Sequence, residues 1–128
     1  MTSFQQIYLR CVHVELSRPS EQWVPALNAY QNDDGILFCV ELAGVKPSGL
    51  HVSAEPRHLI IRGTREPLMK NSDAAGVSSV LALEIDEGAF ERRVPLPNSV
   101  DCSRVHAQLT EGILRIFLPF AKNQEVVL

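Results

Sequence analysis

Apolar residues return at every second position through much of this chain. Ile36, Phe38, Val40 and Leu42 alternate with Leu37, Cys39 and Glu41. That is the period of a strand with one face buried. Leu50, Val52 and Ala54 alternate with His51, Ser53 and Glu55 in the same way. Glu55-Pro56-Arg57-His58 then turns the chain, and Leu59-Ile60-Ile61-Arg62-Gly63 returns it. Near the end, Val105, Ala107 and Leu109 alternate with His106 and Gln108. Glu111-Gly112 marks a tight turn, because glycine takes positive φ without a Cβ clash. Ile113 to Leu118 is a dense β-favouring run, and Pro119 stops it because it has no N–H for a ladder. Asn32-Asp33-Asp34-Gly35 is a turn before Ile36, and Pro25 pushes Trp23–Tyr30 to an edge or an irregular start. A hairpin as apolar as the last must be covered by another sheet. The pattern predicts an all-β sandwich of seven to nine strands with no substantial helix in the domain.

Three stretches break the alternation. In the leader, residues 1–22, Phe4, Ile7, Tyr8, Cys11 and Val12 share one helical face, and Ser3 is placed to cap it. Val12, Val14 and Leu16 also alternate like a strand, so both readings stand. The leader is either an arm packed on its own domain or an apolar face offered to other subunits or clients. Ser17-Arg18-Pro19-Ser20 reads as a linker or turn. Residues 64–79 are loop-like, but Val80, Leu81, Leu83 and Ile85 form an apolar run inside this polar insertion. That run needs cover, either from its own sandwich or from another chain's sheet edge. Residues 120–128 are a polar tail ending in Val126-Val127-Leu128. The expected organisation is therefore an arm (1–22), a β-sandwich domain (23–119) and a tail (120–128).

Composition narrows the chemistry. The chain has 128 residues, enough for one domain with a real core, and a formal charge of −3 without a basic block. No nucleic-acid partner is expected. No apolar run is long enough to span a bilayer, and no secretory signal is read at the N-terminus. Cys11, Cys39 and Cys102 are odd in number and widely spaced, which points to a reducing, cytoplasmic setting. His13, His51, His58 and His106 lack the short paired spacing of zinc ligands and read as half-exposed strand or turn residues. No Gly-x-Ser-x-Gly elbow, no phosphate-cradling glycine loop and no convergent carboxylate pair is present, so neither an enzyme nor a cofactor is expected.

Four motifs then carry a resemblance. Ala107 to Leu114 is similar to the Ala-x-x-x-Asn-Gly-Val-Leu signature of the α-crystallin domain of small heat-shock proteins, with Glu111 for Asn and Ile113 for Val. Glu41-Leu42-Ala43-Gly44-Val45-Lys46 resembles the family's Leu-Pro-Gly loop, with Ala43 for Pro. Leu59-Ile60-Ile61-Arg62-Gly63 and Phe90-Glu91-Arg92-Arg93-Val94-Pro95-Leu96-Pro97 resemble its Leu-x-Ile-x-Gly and Phe-x-Arg-x-x-x-Leu-Pro strands. They stand in family order from about Trp23 to Pro119.

The resemblance implies an immunoglobulin-like β-sandwich of the α-crystallin type, and an ATP-independent chaperone that binds unfolding clients. It implies a groove between the strands at Leu50–Ala54 and Val105–Leu109, lined by Leu50, Val52, Val105 and Ala107. Val126 and Leu128 are a degenerate form of the family's tail pair, either an anchor for that groove or a frayed end. It implies a dimer through a strand at Val77–Ile85 that leaves the domain, with Arg92 near the dimer contact paired to acidic groups. The short arm and degenerate tail favour a dimer or small oligomer. A different class, an adaptor or co-chaperone sandwich of the CS-domain type with one defined partner, fits the same strands.

Overall fold

In the computed structural model, which describes residues 22–122, seven strands form two antiparallel sheets. In chain order they are β1 (Leu27–Gln31), β2 (Gly35–Glu41), β3 (Leu50–Glu55), β4 (His58–Arg65), β5 (Gly88–Pro95), β6 (His106–Thr110) and β7 (Ile113–Pro119). A one-turn helix, α1 (Asn71–Ala74), lies in the insertion between β4 and β5. One sheet has the order β1-β2-β7-β6 and the other β3-β4-β5. Strands expected from two-residue periodicity at Ile36–Leu42, Leu50–Ala54 and Leu59–Gly63, and in the last hairpin, all form there.

The registers explain why the alternation works. Phe38 lies opposite Ile116 and Val40 opposite Leu114, so the inward residues of β2 and β7 stack in pairs. In the other sheet Leu59 faces Ala54 on one side and Val94 on the other, and Ile61 faces Val52 and Arg92. Phe38, Val40, Leu42, Leu59, Ile61, Phe90, Leu114, Ile116 and Leu118 are sealed from solvent between the two layers. A one-residue slip in any of these strands would move its apolar set to the water side, which is what holds the register.

Turn chemistry fixes the connections. Asn32 Oδ1 accepts the N–H groups of Asp34 (2.8 Å) and Gly35 (2.9 Å), closing the β1–β2 hairpin. The β6–β7 hairpin turns on two left-handed residues, Glu111 (φ 52°) and Gly112 (φ 82°). That is the handedness that matches strand twist in a two-residue loop. Gly63 on β4 has another reason to be glycine. A Cβ there would collide with the Gly49 carbonyl oxygen and press on the Phe90 ring.

The main departure from expectation is at the end of β4. Thr64-Arg65-Glu66-Pro67 reads as loop in the sequence, yet β4 runs on through Arg65. Arg65 continues the inward row of Leu59, Ile61 and Gly63, and only 5% of it is exposed.

Candidate functional site: the open sheet edges

Two strands end each sheet: β1 and β6 in one, β3 and β5 in the other. An edge strand presents unpaired backbone N–H and C=O groups, so it is a template for another segment. The edge of β5 is partly closed by Trp23, which bridges Phe90 in parallel fashion. Trp23 N–H donates to Ala89 O (3.2 Å), and Glu91 N–H donates to Trp23 O (3.3 Å). Arg92 then donates to Pro25 O (2.9 Å) as the chain crosses toward β1. These ties put β5 and β1 on one flank of the sandwich, and so β3 and β6 on the other.

On that flank, Leu50, Val52 and Ala54 of β3 point inward and are half-buried against the core. Val105, at the entry to β6, and Leu109 do the same from the other sheet. Ala107 lies opposite the fully buried Ile116 but is itself exposed. Four residues proposed to line a groove, Leu50, Val52, Val105 and Ala107, thus sit on the two edge strands with their side chains on the core side. Among the described residues, no strand pairs with the outer edge of β3 or of β6. Val126 and Leu128, the expected anchor, and Phe4, Ile7 and Tyr8 of the arm lie outside the described residues.

The insertion between β4 and β5 does not cover its own sandwich. Val80, Leu83 and Ile85 are 58%, 63% and 64% exposed, and Leu81 is 86% exposed. The segment forms no strand within this one chain. Arg92, expected beside acidic groups, faces inward from β5 and gives its hydrogen bond to the Pro25 carbonyl. The ion pair on this strand is formed by Arg93 with Glu91, at 3.3 Å.

Sequence reasoning missed Arg65, a buried charged side chain that bridges distant segments. Its Nη1 donates to Ala43 O (2.7 Å) and its Nε to Asp86 O (2.9 Å). Its guanidinium carbon lies 4.3 Å from the centre of the Trp23 ring. Trp23 packs on Phe90 at 5.0 Å and donates its indole N–H to Gly88 O (3.0 Å). One buried cation therefore ties the β2–β3 loop, the last turn of the insertion and the entering chain. The signal was present: Leu59, Ile61, Gly63 and Arg65 keep the two-residue period.

Among the described residues, no group of three His, Cys, Asp or Glu side chains could hold a metal ion. His51 and His106 are exposed on outward strand positions, and His58, expected at a turn, is exposed as the first residue of β4. Cys39 and Cys102 are half-buried free thiols. Two carboxylates are perturbed. Burial pushes Asp86 above the usual carboxylate range, partly countered by the Arg65 charge. Asp101 is held down at about 2, first by the Ser103 hydroxyl, then by Arg104 and the Ser103 N–H. Asp101 caps a 3-10 turn before β6, a structural task. Among the described residues, no helix is long and apolar enough to cross a membrane.

Known proteins share this arrangement. Heat shock protein 16 of Schizosaccharomyces pombe is 28% identical over 101 residues, which are 79% of this chain and 69% of that protein. The structure of hspA from Xanthomonas axonopodis matches with a TM-score of 0.65 at 29% identity, covering 78% of this chain and 96% of that one. A small heat-shock protein from Xylella fastidiosa matches with a TM-score of 0.66 at 27% identity, covering 84% and 97%. The model of the Hsp20/alpha crystallin family matches residues 28–126, most of the chain. With its two antiparallel sheets, its Ala107–Leu114 hairpin and its insertion before β5, this chain belongs to the Hsp20/alpha crystallin family, the small heat-shock proteins.

Proposed function

We propose that this protein is an ATP-independent holdase of the cytoplasm, which binds apolar surface on unfolding proteins and keeps them from meeting one another. The observation that carries this reading is the β3–β6 flank, where Leu50, Val52, Val105 and Ala107 sit beside backbone edges that no described strand fills. An extended client segment can add backbone hydrogen bonds to such an edge and seat alternate side chains on its apolar row. Burial of apolar area supplies the driving force, at about 25 cal/mol per Å², and no nucleotide enters the step. Each contact is weak, and several subunits acting together raise the avidity.

The dimer in this reading forms through the insertion. Val80, Leu83 and Ile85 are apolar and exposed, and the free edge of β1 offers a ladder for them on a second copy. Val126 and Leu128 of the tail, and Phe4, Ile7 and Tyr8 of the arm, would extend the assembly. Arg92 would keep its Pro25 bond and stand near the contact.

The test is light scattering coupled to size exclusion, beside the turbidity of a heated model client. A dimer or small oligomer that suppresses turbidity without ATP, and loses that effect in Val52→Asp, is the expected result. A monomer that leaves turbidity unchanged would exclude the holdase and favour an adaptor with one defined partner.

A further inference from the structure

The insertion leaves β4 after Arg65 and rejoins β5 at Gly88, and those two residues face each other across the ladder. Its ends therefore meet in a neck, and three hydrogen bonds hold that neck. Arg65 Nε donates to Asp86 O (2.9 Å), the Trp23 indole N–H donates to Gly88 O (3.0 Å), and Leu68 N–H donates to a Glu87 carboxylate oxygen (3.1 Å). Gly88 has φ 89°, and beyond its chain neighbours no atom lies within 4 Å of the place a Cβ would take. It is glycine for its backbone alone: positive φ breaks the line of a strand, so the insertion departs from β5 at a bend. A buried charge is costly, and its best-attested use is to fix one arrangement among several. Arg65, 5% exposed, spends its charge on a segment whose apolar Val80, Leu83 and Ile85 stay in solvent.

We infer, resting on the reading of the insertion as the dimer strand, that Arg65, Trp23 and Gly88 are positioning residues for the second copy. They set the direction of the insertion before it meets a partner. Ile85 stands three residues before Gly88, within about 10 Å along the chain. Holding the carbonyls of Asp86 and Gly88 therefore restricts Ile85 and Leu83 most, and the more distant Val80 least. The neck also stands on the flank that carries the accepting edge. From Trp23 the chain passes through Pro25, whose carbonyl Arg92 holds at 2.9 Å, and enters β1 at Leu27. In a closed dimer that flank meets its own equivalent, so each copy donates an insertion and accepts one. An insertion already held at its neck loses less freedom on docking than a free one. Each residue that must be ordered afresh costs about fivefold or more in affinity. Trp23 and Arg65 touch no part of the second copy in this scheme; they act through Asp86 and Gly88.

The test uses the full-length chain. Dimer dissociation constants come from sedimentation over a dilution series, and circular dichroism checks that each variant is folded. Gly88→Ala adds backbone strain alone, because the new methyl group meets nothing, and should weaken the dimer about tenfold. Gly88→Asn, a residue that tolerates positive φ, should recover most of that loss. Trp23→Phe keeps a ring beside Arg65 and Phe90 but loses the bond to Gly88 O, and should weaken the dimer about fivefold. Val100→Ala is the control for general loss of stability. Val100 is buried where the chain meets Pro56 and Phe120, away from the neck, so its truncation should leave the dimer constant unchanged. Equal constants in the wild type, Gly88→Ala and Trp23→Phe would overturn the inference, and so would an equal weakening in Val100→Ala. Failure of the dimer reading shows differently. The wild type would then be monomeric at every dilution, or its association would survive Val80→Asp, Leu83→Asp and Ile85→Asp together.

Discussion

Replacing Arg65 should loosen three parts of the molecule at once. The guanidinium makes two short hydrogen bonds, to Ala43 O at 2.7 Å and Asp86 O at 2.9 Å, and lies 4.3 Å from the centre of the Trp23 ring. A hydrogen bond to a charged group is worth about 1.5–3 kcal/mol. The ring contact adds about 1 kcal/mol, since Trp23 is half-buried and water still reaches the ring. Against this, Ala43 and Asp86 are exposed residues, so water can reach their carbonyls once the arginine is gone, which favours the low end. Arg65→Ala should therefore cost about 4 kcal/mol in urea unfolding, measured at fixed protomer concentration. Arg65→Lys keeps the charge but not the fork that serves two carbonyls, and should lose about half as much. Trp23 is the one tryptophan of the chain, so its fluorescence reports the same event directly. A double-mutant cycle with Trp23→Leu should give a coupling of about 1 kcal/mol. Hydrogen exchange should quicken at Ala89 and Glu91, whose backbone meets Trp23. A loss below about 1 kcal/mol in Arg65→Ala, with zero coupling to Trp23, would refute the idea that this cation joins the three segments.

Four further outcomes follow from local features of the fold. Glu111 is a non-glycine residue at φ 52°, so Glu111→Asn should stabilise the β6–β7 hairpin by about 0.5–1 kcal/mol, read as a higher melting temperature. Gly63→Ala sends a methyl group into the Gly49 carbonyl and the Phe90 ring, and should cost about 2–3 kcal/mol in the same assay. The two perturbed carboxylates act with opposite sign. Asp101, lowered to about 2 from 3.8, contributes stability that is present above 3.8 and lost as pH falls through 2, so Asp101→Asn should flatten that part of an acid unfolding profile. Asp86 is raised, so its contribution is present below the ordinary carboxylate value and lost as pH climbs through the raised one; Asp86→Asn should not destabilise at neutral pH despite the nearby arginine.

What was legible in the sequence was whatever one strand could state by itself. Inward residues of β2, β3 and β7 announce themselves because one face of each strand is drier than the other, and a period of two survives without knowledge of the partner. The Glu111-Gly112 turn is legible for a similar reason, since its requirement for left-handed backbone is local. Arg65 was not, although it keeps the period, because a charged residue at a dry position reads as the end of a strand. Only its partners overturn that reading, and Ala43, Asp86 and Trp23 are scattered across the chain. Val80, Leu83 and Ile85 show the opposite limit. Their pattern asks for a strand, but a strand needs a neighbour to bond with, and among the described residues they are exposed and in no ladder. A strand signal is local, but the ladder that completes a strand is not.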